Sequence, residues 1–171
     1  MPIELKPMRR KKQELPREEA VGILRRATSG VLALQGEGGY PYAVPLSFAV
    51  EDAPAGLCVY FHCAPQGYKL DCVARSEKAS FCVIGADDVV PEKFTTYFRS
   101  AVAFGRVRVV GDDGERMHAL RLLADKYAPG LDEGFEREVG ELSCRTCVLR
   151  LDVEALTGKE AIELVRERVV E

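Results

Sequence analysis

The chain has 171 residues, 47% of them hydrophobic and 30% charged, which supplies a globular core and excludes a disordered segment. Its 24 basic and 27 acidic residues leave a net charge of −3, without the basic excess of a general nucleic-acid binder. Charged residues interrupt every apolar stretch of residues 1–25, and no run reaches the roughly 18–20 apolar residues of a membrane helix. The expectation is one cytoplasmic domain over 1–171, with an arm at 1–14 and a tail at 159–171, and with neither nucleic acid nor membrane as partner.

The basic cluster Arg9-Arg10-Lys11-Lys12 reads as a solvated arm, or as one that folds over an anionic ligand or a partner subunit. A first helix is predicted from Pro16 to about Thr28. Proline suits the first helical position, Glu18 and Glu19 the first turn, and Arg25 and Arg26 the end. Strands then dominate. Gly30 to Gln35, a glycine-rich turn and Tyr42 to Val50 read as a hairpin, with Pro45 marking a bulge, edge or break. Leu57 to His62 is a third strand, apolar on both faces. It therefore needs a helix or a second subunit over its outer side.

Pro65 to Arg75 reads as a short helix, Ser80 to Gly85 as a strand, and Asp87 to Glu92 as a polar loop. Thr95 to Val110 is a long strand bent near Gly105. Helices follow at Glu115 to Tyr127, with Met117, Leu120, Ala124 and Tyr127 on one face, and at Asp132 to Leu142, with Phe135, Val139 and Leu142 inward. Cys147 to Val153 is the last strand, and a polar tail begins at Gly158. The hairpin order excludes a doubly wound parallel sheet. It points to a mainly β fold, a closed antiparallel barrel with peripheral helices that hides its strand edges.

The most informative stretch is Tyr60-Phe61-His62-Cys63-Ala64-Pro65-Gln66-Gly67-Tyr68-Lys69-Leu70. A buried strand ends in a histidine, a Pro/Gly turn follows, and a helix begins with a lysine in its first turn. Free N–H groups and a cation together suit a phosphate, although a helical lysine by itself is ordinarily an exposed one. In Tyr97-Phe98-Arg99-Ser100 two polar residues interrupt an apolar strand, as an edge facing water or as a patch beside a ligand. His62 and His118 are the only histidines. His118 reads as structural or exposed; His62, beside the phosphate turn, is placed to give a proton to a reduced substrate.

Six cysteines are present: Cys58, Cys63, Cys72, Cys82, Cys144 and Cys147. Reduced thiols are expected, with Cys58, Cys72 and Cys82 packed as small hydrophobes. Cys144-Arg145-Thr146-Cys147 has no second pair to complete a zinc site, and it precedes a strand where a thioredoxin-type motif opens a helix. It reads as structural. Walker, GxGxxG, HExxH and GxSxG motifs are absent from the sequence.

Taken in order, several segments resemble the nitroimidazole-resistance-like branch of the pyridoxamine phosphate oxidase-like flavin-binding proteins. They are Met8-Arg9-Arg10-Lys11, Gly30-Val31-Leu32-Ala33-Leu34, Pro41-Tyr42-Ala43-Val44-Pro45-Leu46, Tyr60-Phe61-His62-Cys63-Ala64, Gly67-Tyr68-Lys69-Leu70, Tyr97-Phe98-Arg99-Ser100, Phe104-Gly105 and Leu156-Thr157-Gly158-Lys159-Glu160. The resemblance spans roughly residues 8–160. It implies a six-stranded antiparallel split β-barrel that binds FMN at a homodimer interface and reduces a small-molecule substrate of nitroaromatic type. By position, Tyr42, Val44, Pro45, Leu46 and Ser47 are implied to lie along the flavin. Phe61 and His62 match the strand end that holds flavin and phosphate, Tyr68 and Lys69 the phosphate turn, and Arg99 and Ser100 a strand that reaches the ring across the dimer. His62 is the implied catalytic residue, and no metal is implied.

Two departures stand out. Cys63 takes the place of an expected serine, and the Trp- and Arg-containing substrate segment of true pyridoxamine phosphate oxidases has no counterpart in a chain without tryptophan. Vitamin B6 oxidation is therefore not expected. The alternatives are a non-catalytic flavin carrier or sensor, and a haem-binding relative with His62 as axial ligand.

Overall fold

A computed structural model describes residues 3, 5–142 and 146–168. The 3-10 turn Lys11–Gln13 and the two-residue strand β1 (Glu14–Leu15) lead to Pro16, which caps helix α1 (Arg17–Arg26). Ala20, Val21, Ile23 and Leu24 of α1 are buried, as its apolar spacing requires. Strands β2 (Gly30–Gln35) and β3 (Pro41–Leu46) form the first hairpin. Strands β4 (Ala49–Ala53) and β5 (Gly56–Cys63) form the second.

Helix α2 (Tyr68–Arg75) separates β5 from the long hairpin of β6 (Lys78–Val90) and β7 (Thr95–Val109). Helices α3 (Asp113–Tyr127) and α4 (Asp132–Leu142) precede β8 (Cys147–Glu160), and α5 (Ile162–Arg168) follows it. Asp112 caps α3 by accepting the Glu115 N–H at 2.8 Å.

All strands join one antiparallel sheet in the order β3-β2-β6-β7-β8-β5-β4, with β1 paired to β8. The two ends of this path, β3 and β4, are consecutive in the chain and separated only by Ser47 and Phe48. Among the described residues no ladder joins them. The sheet thus curls into a split barrel. Six strands of six residues or more form its wall, and β1 and β4 are the short additions.

Leu32, Phe48, Phe61, Phe81, Val83, Leu149 and Leu151 fill the interior. Phe81 meets Phe48 and Phe61 edge-on, at centroid distances of 4.7 and 5.0 Å. On the outer face of β5 and β8, Cys58, Tyr60 and Val148 pack against Ala119 and Leu120 of α3. A helix therefore covers the outer side of the doubly apolar third strand.

Four stretches differ from the sequence expectation. The strand predicted over Tyr42 to Val50 is two strands, because Ser47 and Phe48 leave β3 for β4 and drive Phe48 into the core. The polar loop predicted at Asp87 to Glu92 is strand as far as Val90, since Asp87 to Val90 pair with Thr95 to Phe98 and only Pro91–Lys93 turn. The tail predicted from Gly158 is strand to Glu160 and then helix α5. Gly158 lies flat against Ala20 and Leu15, where a Cβ would come within 2.9 Å of each side chain. The arm before residue 15 docks there too: buried Gln13 donates its side-chain amide to the Glu160 carbonyl at 3.0 Å. Cys82, expected in the core, faces outward from β6. The bend at Gly105 is present. Register shifts there, and a Cβ would collide with the Asp152 carbonyl.

Candidate functional site

β5 delivers two adjacent residues to opposite faces. Cys63 points with Phe61 toward the barrel side, and His62 points out beside α3 and α4. After Cys63 the chain turns through Ala64 to Gly67 into α2. Gly67 has φ +129°, a conformation glycine adopts without strain. No side chain caps α2; the N–H groups of Leu70 and Asp71 go to the Gly67 carbonyl at 2.9 and 3.3 Å. The N–H groups of Tyr68 and Lys69 belong to the helix's first turn, which has no intrahelical partners.

With Tyr42 and Val44 of β3, these residues enclose a cradle of about 220 Å³. Burial, and then the neighbouring Cys147, push the Cys63 thiol up to about 11, against the opposing pull of the Lys69 charge. The Cys63 sulfur therefore stays protonated at neutral pH and presents an S–H, not a thiolate, to the cradle. Tyr68 has a structural task as well. Its ring packs edge-on against Tyr42 at 4.8 Å, and its hydroxyl accepts the Glu37 N–H at 2.7 Å. What Tyr68 offers an anion is its backbone N–H.

A larger cavity of about 500 Å³ lies beside the β3–β4 break. Ser47 and His62 stand on one wall; Leu120, Tyr127, Phe135 and Glu138 of the two helices stand opposite. Tyr127 fixes that wall. Its hydroxyl accepts the Phe48 N–H at 2.9 Å and donates to the Thr28 carbonyl at 2.6 Å. Val44 of β3 lines the cradle, and Ser47, just past the end of β3, lines the cavity. Three residue steps of extended chain cover about 10 Å.

The residues singled out in the sequence fall into separate groups. Tyr42, Val44, Tyr68 and Lys69 meet in the cradle, and Ser47 and His62 in the cavity. Leu46 packs on the core, and Pro45 is exposed on the other side of β3. Phe61 is fully buried, so its side chain faces the core and no ligand. Arg99 sits in a third recess with Ile23, Arg26 and Gly85, its guanidinium bonded to the fully buried Glu160 at 3.2 Å. Ser100 lies between Ile84 and Lys159 in the sheet. Within one chain, Arg99 and Ser100 do not join the cradle.

His118 bonds Glu51 at 2.9 Å on the surface. Cys144 of the CxxC motif lies outside the described residues. The wall from α3 and α4 was visible in the sequence only as apolar helical stripes, which look the same whether they face a core or a cavity.

The chain matches the family model described as pyridoxamine 5'-phosphate oxidase over residues 16–160. No functionally curated protein matches it significantly. Among solved structures, a candidate 5-nitroimidazole antibiotic resistance protein from Bacteroides thetaiotaomicron superposes with a TM-score of 0.69 at 21% identity, covering 86% of each chain. An FAD-binding protein from Mesorhizobium loti superposes at 0.62 with 26% identity, over 87% of this chain and 97% of that one. An FAD- and haem-binding protein from Mycobacterium smegmatis superposes at 0.68 with 25% identity, over 88% and 74%. With the family model matched from the first helix to the end of the last strand, on a split barrel of the expected order, the chain belongs to the pyridoxamine 5'-phosphate oxidase family.

Proposed function

We propose that this protein is an FMN-dependent oxidoreductase that works as a cytoplasmic homodimer on a small reducible molecule of nitroaromatic type. The observation that carries the reading is the cradle. An uncapped helix start, a lysine and a protonated thiol converge beside the free edge of β3, and three residues past Val44 the chain reaches Ser47 on the wall of an apolar cavity. Backbone N–H groups and a point charge suit a phosphate monoester. The residues Val44 to Ser47 give the backbone of a free strand edge along which a ring system can lie. Their reach of about 10 Å suits a ligand with its charge at one end and its ring at the other.

FMN, when bound, supplies the electron transfer. The chain's own residues do the rest. Lys69 and the helix start hold the anion. Tyr127 and the two helices keep water from the cavity. His62 offers a ring nitrogen to a substrate inside it. Arg99 and Ser100 lie away from the cradle of their own chain, and this favours a second copy as the source of the missing contacts. A second reading, haem held by His62, draws on the apolar cavity and on the relative that binds FAD and haem.

An absorbance spectrum of the purified protein, after incubation with FMN and desalting, decides first. A retained flavin band is expected. A Soret band in its place selects the haem reading, and neither band defeats both. With flavin retained, turnover of a nitroaromatic with reduced nicotinamide is expected to fall at least tenfold in His62→Ala, while the melting temperature stays within a few degrees, in line with the loss of a general acid. Turnover without change removes His62 from the chemistry. No turnover by the native protein leaves a flavin carrier.

A further inference from the structure

The fold gives Cys147 a partner outside its CxxC motif. Cys147 opens β8 and lies directly opposite Cys63, the last residue of β5. Opposed residues on antiparallel strands have Cα atoms about 4.5–5.5 Å apart, whichever kind of pair they form. A disulfide spans about 4.4–6.8 Å. Both residues are reduced and only half-buried, and the neighbouring Cys147 is among the causes that hold the Cys63 thiol up. Cys58 and Cys72 are buried in different clusters, and Cys82 faces outward on β6.

We infer that Cys63 and Cys147 close a reversible cross-strand disulfide that weakens anion binding at the adjoining cradle. The oxidant is a low-molecular-weight disulfide such as oxidised glutathione. One cysteine thiolate attacks it, breaking its S–S bond and releasing one thiol. The second cysteine attacks the mixed disulfide, forms the Cys63–Cys147 bond and releases the second thiol. Two cysteine thiols are oxidised, one external disulfide is reduced, and their two protons end on the released thiols. Burial keeps the Cys63 thiolate scarce at neutral pH, so closure is slow there and accelerates as pH rises.

Closure changes the cradle chemically. The reduced Cys63 offers an S–H donor beside Gly67 and Lys69. The oxidised sulfur has no proton and is drawn toward β8. The effect on FMN rests on the flavin reading above; the cross-link does not.

The full-length protein is incubated with oxidised glutathione, then weighed intact and mapped by trypsin without reductant. Cleavage after Arg145 separates Cys144 from Cys147, so the cross-link joins peptide 27–69 to peptide 146–150. Peptide 27–69 also contains Cys58, so Cys63→Ser and Cys147→Ser are mapped alongside. The inference expects loss of two hydrogens, the linked peptide in the native chain alone, and FMN binding about two- to tenfold weaker, as loss of one hydrogen bond gives. Dithiothreitol should restore it. Persisting free thiols, glutathione adducts alone, or a link through Cys58 or Cys144 overturn the disulfide. Equal FMN affinity in both redox forms overturns the weakening. A reduced chain that binds no FMN defeats the flavin reading instead, while the mass and the map still decide the cross-link.

Discussion

Among the described residues Lys69 is the one cation lining the cradle at its helix start, which makes it the sharpest single-residue test of what binds there. A charge-assisted contact to phosphate contributes about 1.5–3 kcal/mol, so Lys69→Ala should weaken FMN binding by roughly ten- to 150-fold. Riboflavin, which lacks the phosphate, should bind native and variant alike. A variant that loses both ligands equally would mean the substitution damaged the fold and not the anion site. Lys126 tests a different balance. Its amine lies 3.8 Å over the Phe48 ring, with no hydrogen-bond partner among the described residues. Burial pushes its pKa down to about 8. The unfolded chain, with an ordinary lysine near 10.5, therefore holds more protons between pH 8 and 10.5. Stability should rise with pH across that window, and the penalty is complete below it. Lys126→Met should raise the melting temperature at pH 7, with the advantage over native shrinking by pH 10. An advantage that does not change with pH would place its origin in packing and not in the charge.

Between elements, the critical join is the β3–β4 break, and Tyr127 of α3 holds it. Its hydroxyl accepts the N–H of Phe48, a residue with no exposed surface, and ties the break to Thr28. Tyr127→Phe leaves a polar group of that segment without its partner, at a cost of about 1–3 kcal/mol. Because the hydroxyl tethers the ring that lines the cavity, the variant should also loosen that wall and lose substrate affinity while retaining FMN; a melting curve and a substrate titration separate the two effects. The sequence made β2 legible to the residue, because an unbroken apolar run from Val31 to Leu34 lies between Gly30 and Gly36. It also located the cradle, where Pro, Gly and Lys follow a buried strand. It flagged Pro45 as a bulge, edge or break, and β3 is an end strand of the sheet, but it did not place the break at Ser47 and Phe48, since Leu46, Phe48, Ala49 and Val50 keep an apolar pattern through it. It hid the ends of β6 and β8 because polar Asp87 and Asp88 take their pairing from β7 across the hairpin, and Lys159 and Glu160 from Ser100 and Arg99 about 60 residues away, partners of which local propensity carries no record. The cavity was unreadable for the same reason: its two walls are about 60 to 90 residues apart along the chain.

At the scale of the molecule, the β6–β7 hairpin ends in an arrangement that one chain does not explain. Phe94 at its tip is 98% exposed and adopts a left-handed backbone conformation, φ +51°, that is unusual for an aromatic residue. Val89 and Ile84 along the same hairpin are also largely exposed. Exposed apolar side chains gathered on one projection mark a contact surface. The hairpin also carries Arg99 and Ser100, the residues expected at the flavin and found away from the cradle of their own chain. If a second copy supplies them, dimerisation and flavin retention depend on the same surface. A stable interface buries about 800 Å² on each partner, and the hairpin tip is a fraction of that. The double substitution Val89→Asp with Phe94→Asp should therefore weaken the dimer rather than unfold the barrel, whose core lies elsewhere. Sedimentation of the native protein should give a dimer, and the variant should shift to monomer as it is diluted, losing FMN over the same concentration range. A variant that becomes monomeric and keeps its flavin would mean that one chain completes the site. Arg99 would then be what its bond to Glu160 already makes it, the counter-charge to a buried carboxylate.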